Sequence, residues 1–211
     1  MWSGVAIQIR SVAEPFESGD PESAREAVGA IVLAEAMGLL GEEAVERLDL
    51  AAVRRVARSA SEAGIATVPT AALARRGLGP NELHASLRRL REALEESPAP
   101  RQEWDALVRV FGAEQLARLV SISPASLRRY AAGGRPTPDA VAARLHFLAR
   151  VVAELKGAYN DIGVRRWFQR KRTLLRRRSP AQVLGDDWTP EDSNPQKVLE
   201  LARSLALSPA T

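Results

Sequence analysis

The chain has 211 residues, of which 45% are hydrophobic, and its formal net charge is +4. That length suits one large or two small domains with a hydrophobic core, and the absence of cysteine excludes disulfides, thiolate zinc sites and iron–sulfur clusters. No apolar run approaches the roughly 20 residues that span a bilayer, and the first residues lack the plan of a secretion signal. We therefore expect a cytoplasmic protein that makes no membrane contact.

Charge is distributed unevenly along the chain. Residues 1–62 contain 11 acidic and 6 basic side chains, whereas residues 163–178 contain 8 basic side chains and no acidic one. Nearly all the cations are arginine, which binds phosphates and guanine edges, although a high-GC genome produces the same bias. The position of the basic block, rather than the abundance of arginine, predicts a polyanionic partner.

Helix signals dominate the chain. Leucines at helical spacing from Leu83 to Leu94 predict an amphipathic helix between Gly79-Pro80 and the ESPAP stretch. Apolar residues from Val141 to Leu155 predict a buried helix that ends at Gly157. In five places a small polar residue precedes proline, a pairing typical of a helix start: Asp20-Pro21, Ser123-Pro124, Thr137-Pro138, Ser179-Pro180 and Asn194-Pro195.

Strand signals are few. Val5, Ile7 and Ile9 alternate, and residues 65–68 have the composition of a short strand. Sustained alternation occurs nowhere else. The predicted fold class is therefore all-α (mainly helical), with at most a short strand or hairpin near the N-terminus.

Proline and acidic turns suggest where domains end. Pro98-Ala99-Pro100 is the most linker-like stretch, because closely spaced prolines stop a helix. We predict an N-terminal helical domain at 1–98, a helix-turn-helix domain at 101–156 and a C-terminal helical domain at 157–211. The turn-rich residues 185–193 would make the last helix, at 194–206, a separable tail.

Residues 116–138 read LARLVSISPASLRRYAAGGRPTP, a pattern of two short helices joined by a tight turn. The stretch resembles the Xre/Cro-type helix-turn-helix of bacterial repressors, with Ser121 where that family commonly has glycine. Such a unit places its second helix in the major groove of DNA; the alternative is an ordinary helical hairpin with a solvated arginine face. The residues expected to contact DNA are Ser123, Ala125, Ser126, Arg128, Arg129 and Arg135.

A weaker pattern of the same kind lies upstream. LARRGLGPNELHASLRRL, within residues 70–94, again reads as a short helix, a glycine-containing turn and a longer helix. It is a candidate second helix-turn-helix, and chance similarity is the competing explanation.

The segment after Gly157 contains too many large apolar residues for a disordered tail. The order Trp167, Leu174, Ser179-Pro180 and a helix at 198–202 resembles the toxin-binding domain of MbcA/ParS/Xre antitoxins. The resemblance implies an antitoxin that neutralises a RES-type toxin and, as a homodimer, represses its own operon. Partner contacts are expected at Trp167, Leu174, Trp188, Val198 and Leu201. DNA contacts are expected at the basic residues Arg170, Lys171 and Arg172, for which a solvated face is the alternative.

The sequence offers little for catalysis. His84 and His146 lie in predicted helices without partners at metal-ligand or triad spacing, so we predict no enzyme activity, no metal and no cofactor. The leading hypothesis is a double-stranded DNA-binding regulator, with the Leu83–Leu94 helix or the first domain as the dimer interface. The other hypotheses are an architectural DNA-binding protein with little sequence preference and a protein-interaction module without DNA binding.

Overall fold

The computed structural model describes residues 9–41 and 45–207. These residues form eleven α-helices, two strands of two residues each and one 3₁₀ turn. The prediction of an all-α fold with at most a short strand near the N-terminus is confirmed. The chain divides into two compact units, Met1–Ser97 and Pro98–Thr211, and the division falls in the proline-rich stretch at 98–100.

The first unit is built on two long helices that pack along each other, α1 (Pro21–Ala36) and α4 (Pro80–Glu96). Asp20 caps α1, where its side chain accepts hydrogen bonds from the backbone N–H groups of Glu22 and Ser23. The elements of the first unit are β1 (Ser11–Val12), α1 (Pro21–Ala36), β2 (Arg47–Leu48), α2 (Leu50–Glu62), α3 (Thr67–Ala74) and α4 (Pro80–Glu96).

The leucine stripe of α4 lies in the core of this unit. Leu87, Leu90 and Leu94 are fully buried and Leu83 nearly so, so the predicted amphipathic helix is present with its apolar face covered. Because the stripe is already packed inside the unit, these leucines do not present a surface for dimerisation.

The two strands pair in parallel, Ser11 opposite Arg47 and Val12 opposite Leu48. Helix α1 lies between them in the chain, so they do not form a hairpin. The prediction of a short strand at 65–68 is wrong, because α3 begins at Thr67 and Pro69 suits the first turn of a helix. Of the alternating residues upstream, Val5 and Ile7 lie outside the described residues.

The second unit surrounds one largely buried helix, α8 (Asp139–Lys156), whose buried side chains extend from Val141 to Leu155. Three helices pack against it: α5 (Pro100–Phe111), α9 (Asp161–Gln169) and α11 (Ser193–Leu207). Helix α8 extends to Lys156 with Gly157 as its cap, as the sequence predicts. The elements of the unit are α5 (Pro100–Phe111), α6 (Ala113–Leu119), α7 (Pro124–Ala131), α8 (Asp139–Lys156), α9 (Asp161–Gln169), the 3₁₀ turn (Thr173–Leu175), α10 (Pro180–Leu184) and α11 (Ser193–Leu207).

The C-terminal segment belongs to the same compact unit as residues 101–156. Val198, Leu199 and Ala202 are buried in α11, which packs on α8. The last helix is therefore an integral part of the unit, and the expectation of a separable tail is wrong.

Candidate nucleic-acid interface

Helices α6 and α7 are joined by a short turn at residues 120–123, in the order of helix, turn and helix that the sequence predicts. Leu116 and Ala117 of α6 and Leu127 of α7 are buried where the two helices pack. The hydroxyl of Ser123 accepts a hydrogen bond from the backbone N–H of Ser126 at 3.1 Å. This cap and Pro124 in the first turn explain why α7 begins where it does.

Ser121 gives the turn its geometry. Its φ is +59°, its N–H donates to the carbonyl of Arg118, and the N–H of Ile122 donates to the carbonyl of Ala117. This pair of bonds is the Schellman motif that ends helices, in which glycine usually occupies the left-handed position. Serine thus adopts the backbone conformation for which glycine is the usual residue.

Helix α7 is short and has one buried side chain, Leu127. Ser123, Ala125, Arg128 and Arg129 are exposed along it, and Ser126 is half-buried. Among the described residues neither arginine forms an ion pair; Arg129 reaches the hydroxyl of Ser126 at 3.5 Å. The exposed face therefore offers guanidinium groups and hydroxyls, which donate to phosphates and to guanine edges.

The loop that follows α7 is anchored by aromatic residues. Tyr130 stacks on Trp104 with ring centroids 6.2 Å apart and an angle of 20° between the planes. The indole N–H of Trp104 donates to the hydroxyl of Thr137 at 3.0 Å. Arg135 lies exposed in this loop, so its position beside the end of α7 is fixed from both sides.

The carbonyls at the end of α6 accept hydrogen bonds from distant parts of the chain. The indole N–H of Trp188 donates to the carbonyl of Leu119 at 2.9 Å. Nη1 of Arg144 lies 3.4 Å from the carbonyl of Val120, and the N–H of Asp187 lies 3.4 Å from the hydroxyl of Ser121. The loop before α11 thus contacts Leu119 and Ser121, and Arg144 of α8 contacts Val120 between them.

Arg144 connects that loop to the turn. It is 7% exposed, its Nε donates to the carbonyl of Trp188, and its Nη2 pairs with Oδ1 of Asp187 at 2.8 Å. Sequence reasoning missed Arg144. The available signal was an arginine among the apolar positions of a buried helix, because a buried charge requires partners.

The structure places three of the five expected partner contacts in the core. Trp167, Trp188 and Val198 are 1%, 3% and 0% exposed, because the unit uses these large apolar side chains for its own packing. These three residues therefore lie in the core and not at a surface that a partner could contact. Leu201 is half-buried, and Leu174, at 78% exposed, is the member of the set that lies at the surface.

The basic block is mostly free of internal partners. Arg172 is half-buried, with its guanidinium 5.5 Å from the ring centroid of Trp167, and Arg165 donates to the carbonyls of Arg109 and Val110 at the end of α5. The remaining cations are exposed and form no ion pair with any described residue: Arg166, Arg170, Lys171, Arg176, Arg177 and Arg178.

Residues 172–178 form a tight loop. The N–H of Arg172 donates to the carbonyl of Arg178 at 3.0 Å, which closes the loop. Arg176 and Arg177 both have positive φ, 54° and 61°. The loop presents three consecutive guanidinium groups and the exposed Leu174 to solvent.

An open groove of about 1040 Å³ adjoins the turn. Arg118, Ser121 and Ser123 line one part of it, and Lys171 and Gln182 line another. The groove therefore places Lys171, in the middle of the basic block, near the start of α7.

The two units differ in charge. Residues 1–97 contain 15 acidic and 11 basic side chains, whereas residues 98–211 contain 11 acidic and 19 basic ones, so their formal charges are −4 and +8. In the first unit exposed arginines pair with carboxylates, for example Arg25 with Glu22 and Arg75 with Glu82. The excess positive charge belongs to the unit that contains α7.

The upstream candidate helix-turn-helix has fewer free cations. Helices α3 and α4 are joined by residues 75–79. On α4, Arg88 pairs with Glu92 at 3.6 Å and Arg91 pairs with Glu26 at 2.7 Å. Arg89 is exposed without an ion pair in the described residues, so this pair of helices offers a much weaker cationic face than α6 and α7.

Two further observations concern the part of the chain that the structure describes. It contains no group of three or more histidine, aspartate or glutamate side chains placed to hold a metal ion. None of its helices combines the length and the apolar character that a membrane crossing requires.

Comparison with known proteins adds no neighbour: no protein-family model, no curated protein and no solved structure matches the chain.

Proposed function

We propose that the protein is a transcriptional regulator that binds double-stranded DNA, with α7 in the major groove. The observation that carries the proposal is the exposed face of α7, where Arg128 and Arg129 have no carboxylate partner among the described residues. This helix follows a left-handed turn at Ser121 and belongs to a unit with a formal charge of +8.

Each residue has a distinct part in this proposal. The start of α7 faces the base edges of DNA through Ser123, Ala125 and Ser126. Further along the helix, guanine or phosphate is contacted by Arg128 and Arg129. Arg135 contacts the DNA backbone from the anchored loop. Lys171 lines the same groove as Arg118, so these two cations, with the neighbouring Arg170, extend the phosphate contact beside the start of α7.

The test is binding of the purified chain to the DNA upstream of its own gene and to unrelated DNA, measured by fluorescence anisotropy across a salt series. Arg128→Ala/Arg129→Ala is compared with the control Lys197→Ala/Arg203→Ala, which removes the same charge from α11. Only the α7 variant should lose the preference for its own upstream DNA. Removing two phosphate contacts would also lower the slope of log K against log salt by about 1.8.

A control that weakens binding as much as the α7 variant would contradict the assignment to α7. Binding to neither DNA would overturn the proposal and leave a protein-interaction module as the remaining account.

The biological setting that we propose is a cytoplasmic, homodimeric antitoxin that neutralises a RES-type toxin and represses its own operon. The support is the resemblance carried by Trp167, Leu174 and Ser179-Pro180. Of the expected contacts, Leu174 projects from the basic loop, so an acidic toxin surface with an apolar pocket would fit it. Co-expression with the product of the neighbouring gene tests this: wild type should rescue growth and co-purify, and Leu174→Asp should do neither.

The second candidate function is an architectural DNA-binding protein. Six exposed cations at 166–178, none of which forms an ion pair with a described residue, favour it, because phosphate contacts give affinity without sequence preference. Equal, strongly salt-dependent binding to upstream and unrelated DNA would support this candidate over a sequence-reading regulator. Neither candidate involves a catalytic step or a cofactor.

A further inference from the structure

The turn before α7 needs hydrogen-bond donors from outside the helix-turn-helix. The last carbonyls of a helix have no partner within it, and the Schellman bonds at Ser121 use the carbonyls of Ala117 and Arg118. The carbonyls of Leu119 and Val120 remain. Both residues are buried, so these two groups depend on protein donors.

Residues far along the chain supply those donors. Trp188 donates to Leu119 at 2.9 Å, and Arg144 approaches Val120 at 3.4 Å. Arg144 also holds Trp188 and Asp187, through the backbone carbonyl of the first and the carboxylate of the second. One buried guanidinium therefore joins the loop at 185–188 to the turn.

Helix α7 has little else to fix its orientation. It buries a single side chain, Leu127, and Tyr130 adds one stacking contact near its end. Its first residue, Pro124, follows the turn directly. A shift of residues 119–121 would thus change the angle at which Arg128 and Arg129 are presented.

We propose that Arg144 and Trp188 are positioning residues for DNA binding, and that the C-terminal loop at 185–188 sets the orientation of α7. The proposal rests on the proposed function and extends it. It makes sequence preference depend on residues that do not touch DNA, and it couples that preference to the segment expected to bind a partner protein.

The first test uses two matched tryptophans. Trp188→Phe removes ring area and the hydrogen bond to Leu119. Trp167→Phe removes similar ring area from an equally buried side chain whose indole N–H has no hydrogen-bond partner among the described residues. Upstream and unrelated DNA are compared for each variant, and folding is checked by circular dichroism and thermal unfolding.

We expect Trp188→Phe to lower the ratio of upstream to unrelated affinity by about tenfold, since an unpaired buried carbonyl destabilises the turn by enough to shift its conformational equilibrium by that factor. Trp167→Phe should leave the ratio unchanged. Amide hydrogen exchange at Ser121 and Ile122 should accelerate in Trp188→Phe alone, a local effect that general destabilisation does not produce.

The second test uses Asp187→Asn, a change at an exposed side chain that leaves the core intact. It removes the charge that pairs with Arg144, and asparagine tolerates the left-handed backbone that Asp187 adopts, with φ 53°. We expect the affinity ratio to fall by about threefold, a smaller loss than in Trp188→Phe because an exposed carboxylate pair contributes less.

Equal effects of the two tryptophan variants on the affinity ratio, or no effect of either, would overturn the positioning role. That outcome differs from failure of the proposed function, in which wild type itself shows no preference for its upstream DNA or Arg128→Ala/Arg129→Ala keeps it.

Discussion

Ser121 adopts a conformation that is unfavourable for its residue type. A non-glycine residue in the left-handed region costs roughly 1–2 kcal/mol, and the hydroxyl recovers little, since its contact with the N–H of Asp187 is 3.4 Å long. Ser121→Gly should therefore raise the free energy of unfolding by up to about 1 kcal/mol. Urea unfolding would measure this, with Ser121→Val as the opposite case: a rise with valine would exclude strain at this position.

Glu103 and His146 form a buried pair, with Oε1 and Nδ1 2.7 Å apart. Burial raises the pKa of Glu103, and the hydrogen bond from His146 opposes that shift only in part. A carboxyl with a raised pKa in the folded state favours its protonated form, so its contribution to stability is complete below its ordinary pKa and decreases as pH rises through the folded value.

Replacing Glu103 with glutamine should remove this pH dependence. We expect Glu103→Gln to be closest to wild type in stability at acidic pH and to gain on it as pH rises, because the amide never ionises. Urea unfolding at several pH values from 4 to 8 measures the difference. If the wild type instead gained stability relative to the variant as pH rose to neutral, the attraction within the charged pair would exceed the desolvation cost of the buried carboxylate.

Helix starts were predictable because their signals are local. Ser123-Pro124 and Ser179-Pro180 each begin a helix, since a capping hydroxyl and a proline act within one turn. Burial was predictable for the apolar stripes of α4 and α8, which follow helical spacing, but not for Trp188. Trp188 was expected to contact a partner, but its ring packs against Phe147 and its N–H donates to the carbonyl of Leu119. These contacts arise only when distant elements meet.

The loop at 172–178 concentrates strain in a short element, because Arg176 and Arg177 both have positive φ. Two double variants separate the effect of the backbone conformation from the effect of charge. Replacing Arg176 and Arg177 with glycine relieves the backbone strain, whereas replacing both with alanine keeps it. Both double variants remove the same two positive charges. The glycine pair should be roughly 2 kcal/mol more stable than the alanine pair. Thermal or urea unfolding tests this, and equal stability would mean that the loop relaxes to another backbone conformation.

At the scale of the whole molecule, the helical class and the division near Pro98 follow from composition and proline spacing. Composition and proline spacing did not predict that residues 101–156 and the C-terminal segment form one compact unit. The cause of that union is α8, whose many buried side chains are covered by helices from both parts of the chain. The spacing of apolar residues from Val141 to Leu155 predicts a buried helix, but it does not identify the segments that cover it.

The two compact units allow a prediction about fragments. A fragment of residues 98–211 has its own core and the +8 charge, so it should fold and keep the preference for upstream DNA. Residues 1–98 should show no DNA affinity even at low salt, because most arginines of α4 are paired. Circular dichroism and fluorescence anisotropy on both fragments check this. DNA binding by the fragment of residues 1–98 would support the upstream candidate helix-turn-helix.

The contact between the turn at 119–121 and Trp188 also has a consequence for protein synthesis. The turn is made 69 residues before the indole that completes it, and a nascent chain folds from its N-terminal end as it emerges from the ribosome. On our proposal, a growing polypeptide that already displays α7 still lacks the donors that orient it. Competence to select an operator would thus appear only after Trp188 has been synthesised, so shorter nascent chains do not compete for the promoter.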